Sequence, residues 1–600
     1  MGSEGARSED RFSAHSGGAA AGSESSPEPV GGAFEAPTYE KKEVTYDQVR
    51  SLGWVPPAKY DYSVYMTDHS TRNDLVEEGK EPKWLSQAAR YEWDDEYGDV
   101  GPHDEKLEDE LFRSMFINRI GNKMDAYEYR VNIQGPQDVA PVRRFIDAGL
   151  HPVMLENVHN CGYDVPTPVQ AYCIPAVLLG HDVVATAQTG SGKTAAYLIP
   201  ILSRLMGKAG KVCGPKAGIN GAQYPVRAEP IVVIVTPTRE LTIQIFNECR
   251  RLCYRTKLRP CVIYGGVPAR VQADDLRRGC DVLVATPGRL IDFMEKANTL
   301  SLNRCKFTVL DEADELLHTD WEPEMKKIMR GATNVQDDDH TYMMFSATFN
   351  KTCRKVAKEY MSEDRIRVTI GREGSTHKNI SQQVIWTNED QKRNALVDLL
   401  LSLPPARTLI FVNSRRTADL LDDFLYNQTF PCTSIHYDRT QLEREEALTK
   451  FRDGSTPILI ATGISARGID VCNCMHVINY DLPAADRGGI DEYIHRIGRT
   501  ARIGNEGLAT SFYNDKNEDI ADKLVKILVE NDKPVPDFLQ QYTPQEGDKL
   551  DFDDESLPSS DEDEFGQSPN DNGSTAGSGV AAPEWKAPSD SDDDNANVAW

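Results

Sequence analysis

The sequence predicts an α/β protein of two tandem domains. Each is a mostly parallel sheet with helices on both faces, and acidic segments without a packed core flank the pair. Three observations predict this. Short apolar runs alternate with helical patterns from about residue 141, and the alternation restarts after about residue 375. A chain of 600 residues is too long for one hydrophobic core. Charge is also unevenly placed. Residues 1–140 hold 15 basic and 28 acidic side chains, residues 546–600 hold 2 and 16, and the stretch between holds 50 of each. The net charge of −27 therefore belongs to the flanks. A neutral centre leaves a nucleic-acid partner open, because charge acts domain by domain.

Taken in order, residues 1–38 are rich in Gly, Ser, Ala and Glu and are expected to be disordered. Residues 39–140 regain aromatics, as in "KWLSQAARYEWDDEYGDVGP". They are expected to be partly ordered, either docked on a partner or packed on the surface of the core. The first domain spans 141–372, with strands expected at 182–187, 231–236, 261–266, 281–287, 307–311 and 342–348, and a helix at 192–206. A linker at 373–382 leads to the second domain, 383–545, with strand-like "QVIWT", "TLIFVNS", "TSIHYD", "PILIAT", "MHVINYD" and "GLATSFY". The tail, 546–600, carries "SSDEDE" and "SDSDDD" and is expected to be disordered and solvated. The twelve cysteines form no CxxC pair, which fits buried thiols in a reducing compartment. No signal peptide or 18-residue apolar run is present, so a secreted or membrane-spanning protein is not expected.

The chemistry is concentrated in two stretches. "ATAQTGSGKT" follows a strand and opens a helix, which is the setting a phosphate-binding loop needs. Glycines let the backbone N–H groups of Gln188, Thr189, Gly190, Ser191 and Gly192 close on phosphate oxygens at a helix N-terminus. Lys193 is expected to reach the β- and γ-phosphates and Thr194 to hold Mg²⁺. Ala187 stands where the usual pattern begins with Gly. The second stretch, "FTVLDEADELL", ends an apolar run in four acids, Asp311, Glu312, Asp314 and Glu315. An acidic first turn favoured by the helix dipole is the plain reading. Beside Lys193 and Thr194, the catalytic reading prevails: Asp311 shares the Mg²⁺ and Glu312 orients and polarises the attacking water.

These motifs belong to an ordered series that resembles a DEAD-box RNA helicase across residues 141–545. "GYDVPTPVQ" (162–170) resembles the Q motif, which implies that Thr167 and Gln170 read adenine with Phe145 packed nearby. "PTREL", Gly265-Gly266, "TPGR", "SAT", "LIFVNS", "QLER", "ATGISARGID" and "YIHRIGRTAR" complete it. The resemblance implies two RecA-like domains, Arg499 and Arg502 as arginine fingers, His495 as the coupling residue and Asp470 as the ribose contact. It also implies sequence-independent RNA-backbone contacts from Thr238, Arg239, Gly266, Thr286, Arg289, Gln441, Arg444 and Thr462. The wording "AQTGSGKTAAYLIP" and "GRLIDFM", with the insertion at 207–229, is closest to the Belle/Vasa-like branch. That branch implies a cytoplasmic, monomeric enzyme remodelling mRNA in translation initiation, with nuclear shuttling or RNA granules as further settings. Initiation factors or basic proteins are the partners expected at its terminal segments.

The chain departs from the family pattern in several places. Tyr437 in "HYDRTQ" replaces a usual Gly, and its ring either alters the RNA path or points outward. "DLPAADRGGIDEYIHRIGR" carries extra residues before the arginines, which predicts a longer loop. The tails are acidic and lack Arg/Gly repeats, so they should repel RNA or recruit a basic partner. Two rival readings stay open: an ATP-gated RNA clamp that scarcely turns over, and an enzyme acting on DNA.

Overall fold

A computed structural model describes residues 36–55 (43 excepted), 84–91, 100–113, 129–135, 139–214, 226–317 (297 excepted), 322–332, 340–463 (373 and 377 excepted), 474–502, 505–544 and 584–585. The expectations for residues 1–35 and for most of the acidic tail lie outside the described residues, as does Asp470.

The strands of the first domain are β1 (Tyr129–Gln134), β2 (Val183–Thr186), β3 (Val232–Val235), β4 (Pro260–Ile263), β5 (Val282–Ala285), β6 (Phe307–Asp311), β7 (Thr341–Ser346) and β8 (Ile366–Ile370). The second contains β9 (Ile380–Trp386), β10 (Arg407–Val412), β11 (Cys432–Ile435), β12 (Ile458–Thr462), β13 (Cys474–Asn479) and β14 (Gly507–Tyr513), and a short β15 is Glu584–Trp585. Among the described residues the first sheet runs β15-β1-β8-β2-β7-β6-β3-β5-β4, and the second β11-β12-β10-β13-β14-β9. The second sheet is parallel throughout. The first is parallel from β8 to β4, with β1 antiparallel to β8 and the short β15 antiparallel beyond it. These are two RecA-like α/β domains.

Both faces of β2 to β7 are buried, which is why these strands read as unbroken apolar runs. Helices between them start on local caps. Ser414 accepts the Thr417 N–H at 3.0 Å before the helix Arg415–Asn427. A Thr440/Glu443 capping box opens the helix Gln441–Asp453, which Gly454 closes at φ 83°.

The described boundaries differ from those expected. The first sheet takes in β1, ahead of residue 141, and β9 begins at Ile380, inside the expected linker. β9 is an edge strand and β1 lies next to the edge, and both carry alternate polar residues, as in "YRVNIQ" and "ISQQVIW", so neither gives a continuous apolar signal.

The described parts of the N-terminal extension pack on the protein itself. Residues 39–42 and 44–54 lie on the second domain. Trp54 is buried edge-on to Phe430 at 5.9 Å, Val49 is buried beside it, and Lys42 pairs with Asp398 at 2.9 Å. Residues 84–91 and 100–112 lie on the first domain, where Arg90 pairs with Asp275, Glu110 with Arg250 at 2.8 Å, and Tyr91 and Phe112 meet Tyr254 edge-on. Leu85 N–H reaches across to Glu445 of the second domain at 3.2 Å. Among the described residues, no helix is long and apolar enough to cross a membrane, the eleven cysteines form no disulfide, and no cluster of three or more His, Cys, Asp or Glu side chains that could hold a metal is present.

Candidate nucleotide and nucleic-acid site

The carboxyl ends of β2 and β6 meet the second domain across a cleft. The chain leaves β2 at Thr186, turns through Gln188–Gly192 and enters the helix Lys193–Leu205. Gly192 caps that helix at φ 90°, and a Cβ there would strike the Gln170 amide, so only Gly satisfies both the turn and the close approach. Thr167 N–H donates to Gln170 Oε1 at 3.0 Å, and Gln170 Nε2 donates to Gly192 O at 3.2 Å. The Q motif therefore braces the phosphate loop. Phe145 is buried in the first-domain core.

Lys193 Nζ donates to the carbonyls of Ala187 at 2.6 Å and Gln188 at 3.2 Å. Burial pulls its ammonium below the ordinary lysine range, opposed by Asp311, Asp314 and Glu312. Gln188 Nε2 donates to Ser375 Oγ and to Thr376 O, so this side chain ties the loop to the interdomain linker.

Asp311 ends β6 and is buried. Its Oδ2 accepts from Tyr197 OH at 2.8 Å and Thr194 Oγ1 at 3.3 Å, and its Oδ1 accepts from Glu312 N–H at 3.0 Å. Burial raises its pKa, opposed by the Tyr197 hydrogen bond and the Lys193 charge. Glu312 sits at φ 53°, a left-handed backbone that non-glycine residues adopt at a cost of about 1–3 kcal/mol and usually where function holds it. Burial raises its carboxyl as well, against the charges of Arg499 and His495. Asp314 differs. Burial pushes it up, but His495 and hydrogen bonds from Ser346 and Thr348 outweigh that and leave it below its ordinary range.

The opposite wall comes from the helix Gly489–Ile497 and the turn after it. Arg499 Nη2 lies 3.9 Å from Glu312 Oε1, and His495 Nε2 lies 3.9 Å from Asp314 Oδ2. Arg499 Nε donates to His495 O at 2.9 Å, which fixes the two relative to each other. Thr189 Oγ1 donates to Gly498 O at 3.4 Å, and the stem of Arg502 packs on Gly190. Lys193, Thr194, Asp311, Glu312, His495, Arg499 and Arg502 thus converge from three separate stretches of chain.

Three buried oxygens here have no hydrogen-bond partner within the molecule: Thr167 Oγ1, Ser191 Oγ and Glu312 Oε2. The two hydroxyls, with a lysine ammonium, two arginines and a helix N-terminus, suit a polyanionic nucleotide, while the Glu312 oxygen is an acceptor that suits a water. The hydroxyl of Thr194 and the carboxylate of Asp311 are hard oxygen donors of the kind Mg²⁺ takes.

The residues expected to face RNA gather on the same side of the two domains. Thr238 caps the helix Arg239–Leu252, and its Oγ1 accepts the Leu241 N–H at 3.4 Å. Arg239 lies over Gly265 and Gly266 and donates to Gln441 Oε1 at 3.0 Å. Arg444 Nη2 stands 2.8 Å from Glu240 Oε1. Arg289 donates to Gln272 Oε1 at 2.6 Å and to Val267 O at 2.9 Å, while Thr286 caps its helix. Thr462 ends β12. Gln441 and Arg444 are therefore engaged across the domain boundary as well as placed at the cleft.

Tyr437 is 74% exposed and points outward, with Arg415 over its ring at 5.4 Å. The extra residues before the arginines form a 3-10 turn, Ala485–Arg487, and a Gly488-Gly489 pair at positive φ. The loop is pinned by Ala485 N–H on Asp519 at 2.7 Å. Sequence reasoning missed Tyr197 and Glu240. Both stand inside quoted motifs, but their partners lie on other elements.

A DEAD/DEAH box helicase model matches residues 167–356, and a helicase conserved C-terminal domain model matches residues 391–504. Among solved structures, S. cerevisiae Dbp5 bound to RNA and ADP BeF3 is 28% identical, with 67% of this chain and 93% of that chain covered, at a TM-score of 0.54. Mss116p bound to ssRNA and AMP-PNP is 26% identical, with 69% and 84% covered, at a TM-score of 0.56. The ordered motifs, the two RecA-like domains and the paired walls of the cleft agree with both matches, and the chain belongs to the DEAD-box family of ATP-hydrolysing RNA helicases.

Proposed function

We propose that this chain hydrolyses Mg²⁺-bound ATP to remodel or locally unwind RNA duplexes and RNA–protein complexes, acting on cytoplasmic mRNA in translation initiation. The observation that carries the catalytic reading is the approach of Arg499 to Glu312 and of His495 to Asp314 across the domain boundary. Phosphoryl transfer needs little beyond positioning and charge stabilisation, and a site split between two domains supplies them only when the domains close. In this reading Lys193 and the loop 188–192 hold the phosphates, and Thr167, Gln170 and Phe145 select the base. Glu312 orients the attacking water, and Arg499 and Arg502 stabilise charge on the transferred group. Thr194 and Asp311 would hold Mg²⁺, which would supply neutralisation of phosphate charge when bound. Asp470 contacts the ribose.

Closure also brings Arg239, Gly266 and Thr286 to face Gln441, Arg444 and Thr462. Such hydroxyls, amides and guanidiniums suit the sugar–phosphate backbone and leave sequence unread. That the comparison proteins carry RNA together with a nucleotide supports RNA as the polymer. The branch-level wording of the phosphate loop supports the assignment to mRNA and initiation. The acidic terminal segments are the natural place for basic partners.

The test is steady-state ATP turnover with and without single-stranded RNA, with DNA of equal sequence as control. Mg²⁺-dependent stimulation by RNA and not DNA, lost in Glu312→Gln, is the expected result. Binding of RNA with ATP but without turnover would replace the helicase reading by a clamp. Reporter translation in an extract depleted of the protein tests the initiation role.

A further inference from the structure

We infer that Tyr197 is a positioning residue for the divalent-cation site: its hydroxyl holds the Asp311 carboxylate in place while Thr194 turns toward the cation. The inference rests on the Mg²⁺–ATP reading above and names a side chain that reading leaves out.

The geometry follows from the helix. Thr194 and Tyr197 are three residues apart on the helix Lys193–Leu205, so both present their hydroxyls to the same side. That side faces the end of β6, and both hydroxyls converge on one atom, Asp311 Oδ2. The two bonds are unequal: Tyr197 donates at 2.8 Å and Thr194 at 3.3 Å. The other carboxylate oxygen, Oδ1, is held by the Glu312 backbone. Tyr197 is fully buried, its ring packed against Phe345 at 4.9 Å, so its hydroxyl cannot swing out to water.

A cation ligand has to be both ionised and correctly aimed. Asp311 is buried and ends a strand, where an unanchored carboxylate would rotate. Thr194 can offer an oxygen lone pair to a cation, but its own bond to Asp311, at 3.3 Å, is the weaker of the two. The Tyr197 bond is the stronger anchor, because a fully buried ring packed on Phe345 keeps the hydroxyl aimed at Asp311. Outer groups of this kind fix ligand orientation, and their loss typically costs tenfold to a hundredfold in metal affinity.

Tyr197→Phe deletes one oxygen and keeps the ring on Phe345. The measurement is Mn²⁺ affinity of the full chain saturated with ADP, read by EPR of free Mn²⁺, alongside ADP affinity in EDTA. The expected result is about tenfold weaker Mn²⁺ binding with ADP affinity in EDTA unchanged. In ATP turnover the Mg²⁺ concentration for half-maximal rate shifts by the same factor, with the rate at saturating Mg²⁺ nearly restored. Unchanged Mn²⁺ affinity overturns the inference. Loss of ADP binding in EDTA also overturns it, because Tyr197 would then be a packing residue for the loop. Should the parent chain itself bind no ADP, the nucleotide reading fails instead.

Discussion

Arg444 of the second domain and Glu240 of the first face each other at 2.8 Å, and Glu240 is 2% exposed. The sequence reading gives Arg444 to RNA, yet the carboxylate beside it sits in the quoted "PTREL" stretch of the other domain. In this arrangement the carboxylate is buried against a cation of the other domain, so separating the domains would separate the pair. The contact therefore belongs to the closed arrangement and favours it. Breaking a buried pair from one side leaves an unpaired charge, at about 3–5 kcal/mol.

Arg444→Ala is accordingly expected to weaken nucleotide-dependent RNA binding more than tenfold, while ATP binding to the first domain is retained. Glu240→Gln added to that variant removes the stranded charge and is expected to recover part of the loss. A double variant no better than the single one would assign Arg444 to RNA contact alone. Fluorescence anisotropy with AMP-PNP and labelled single-stranded RNA reads both.

Gly498 supplies a second test of closure. Its φ of −66° is ordinary, so Ala should fit the second domain by itself. Across the boundary, however, an added Cβ would overlap the Thr189 hydroxyl. Gly498→Ala is expected to leave the melting temperature nearly unchanged and to cut RNA-stimulated turnover at least tenfold, a loss of about 1.4 kcal/mol or more. Interdomain energy transfer between dyes on the two domains should report fewer closed molecules. Normal closure in the variant would show that the loop and the arginine turn are not packed this tightly during turnover.

The fold was legible where burial was two-sided. Strands β2, β3, β5, β6 and β7 stand in the sequence as unbroken apolar runs because neighbours cover both of their faces. Strands β1 and β8 were passed over, since "YRVNIQ" and "IRVTI" mix polar side chains into short runs near the sheet edge. The site was legible as a list of motifs, because each keeps its own spacing along the chain. Its wiring was not. Arg239 with Gln441, Arg444 with Glu240 and Tyr197 with Asp311 are separated by 202, 204 and 114 positions, and only the folded chain pairs them. The aromatics of the extension were visible, but nothing local in Trp54 points to Phe430 on the second domain.

Trp54 gives the third prediction. It fills a site lined by the second domain's own core, so Trp54→Ala should release residues 39–55 and cost up to about 3–5 kcal/mol of that domain's stability. The expected signs are faster proteolysis between Tyr39 and Val55 and a lower melting transition. Turnover at 25 °C should stay close to the parent's, since Trp54 touches none of the cleft residues. Unchanged protease sensitivity would mean the segment is held mainly by Lys42 on Asp398 and by its backbone bonds.

His476 predicts an acid dependence confined to the second domain. It is buried on β13, and burial lowers its pKa from 6.5 to about 4, while its ring contacts Thr510 Oγ1 at 2.9 Å. The unfolded chain binds a proton near pH 6.5 that the folded chain refuses until about pH 4. Stability from this group is thus complete above about pH 7 and falls as pH drops through 6.5 toward 4, by about 3 kcal/mol in all. His476→Gln does not titrate, so its denaturation midpoint should decline less than the parent's between pH 7 and pH 4.5. Equal slopes in parent and variant would exclude His476 as the source.

The acidic tail bears on RNA binding through its charge. Residues 546–600 carry 16 acids against 2 bases, tethered to a chain whose cleft is lined with arginines. A tethered polyanion competes with RNA phosphates for the same cations, and both interactions weaken as salt rises. Truncation after Tyr542 is therefore expected to raise RNA affinity by roughly threefold to tenfold at low salt. The two proteins should converge as salt increases, so the truncated form shows the steeper salt dependence. Phosphorylation of the serines in "SSDEDE" and "SDSDDD" should widen the gap by adding charge. Affinities that coincide across the whole titration would remove the tail from the cleft and leave it as a docking segment for a basic protein.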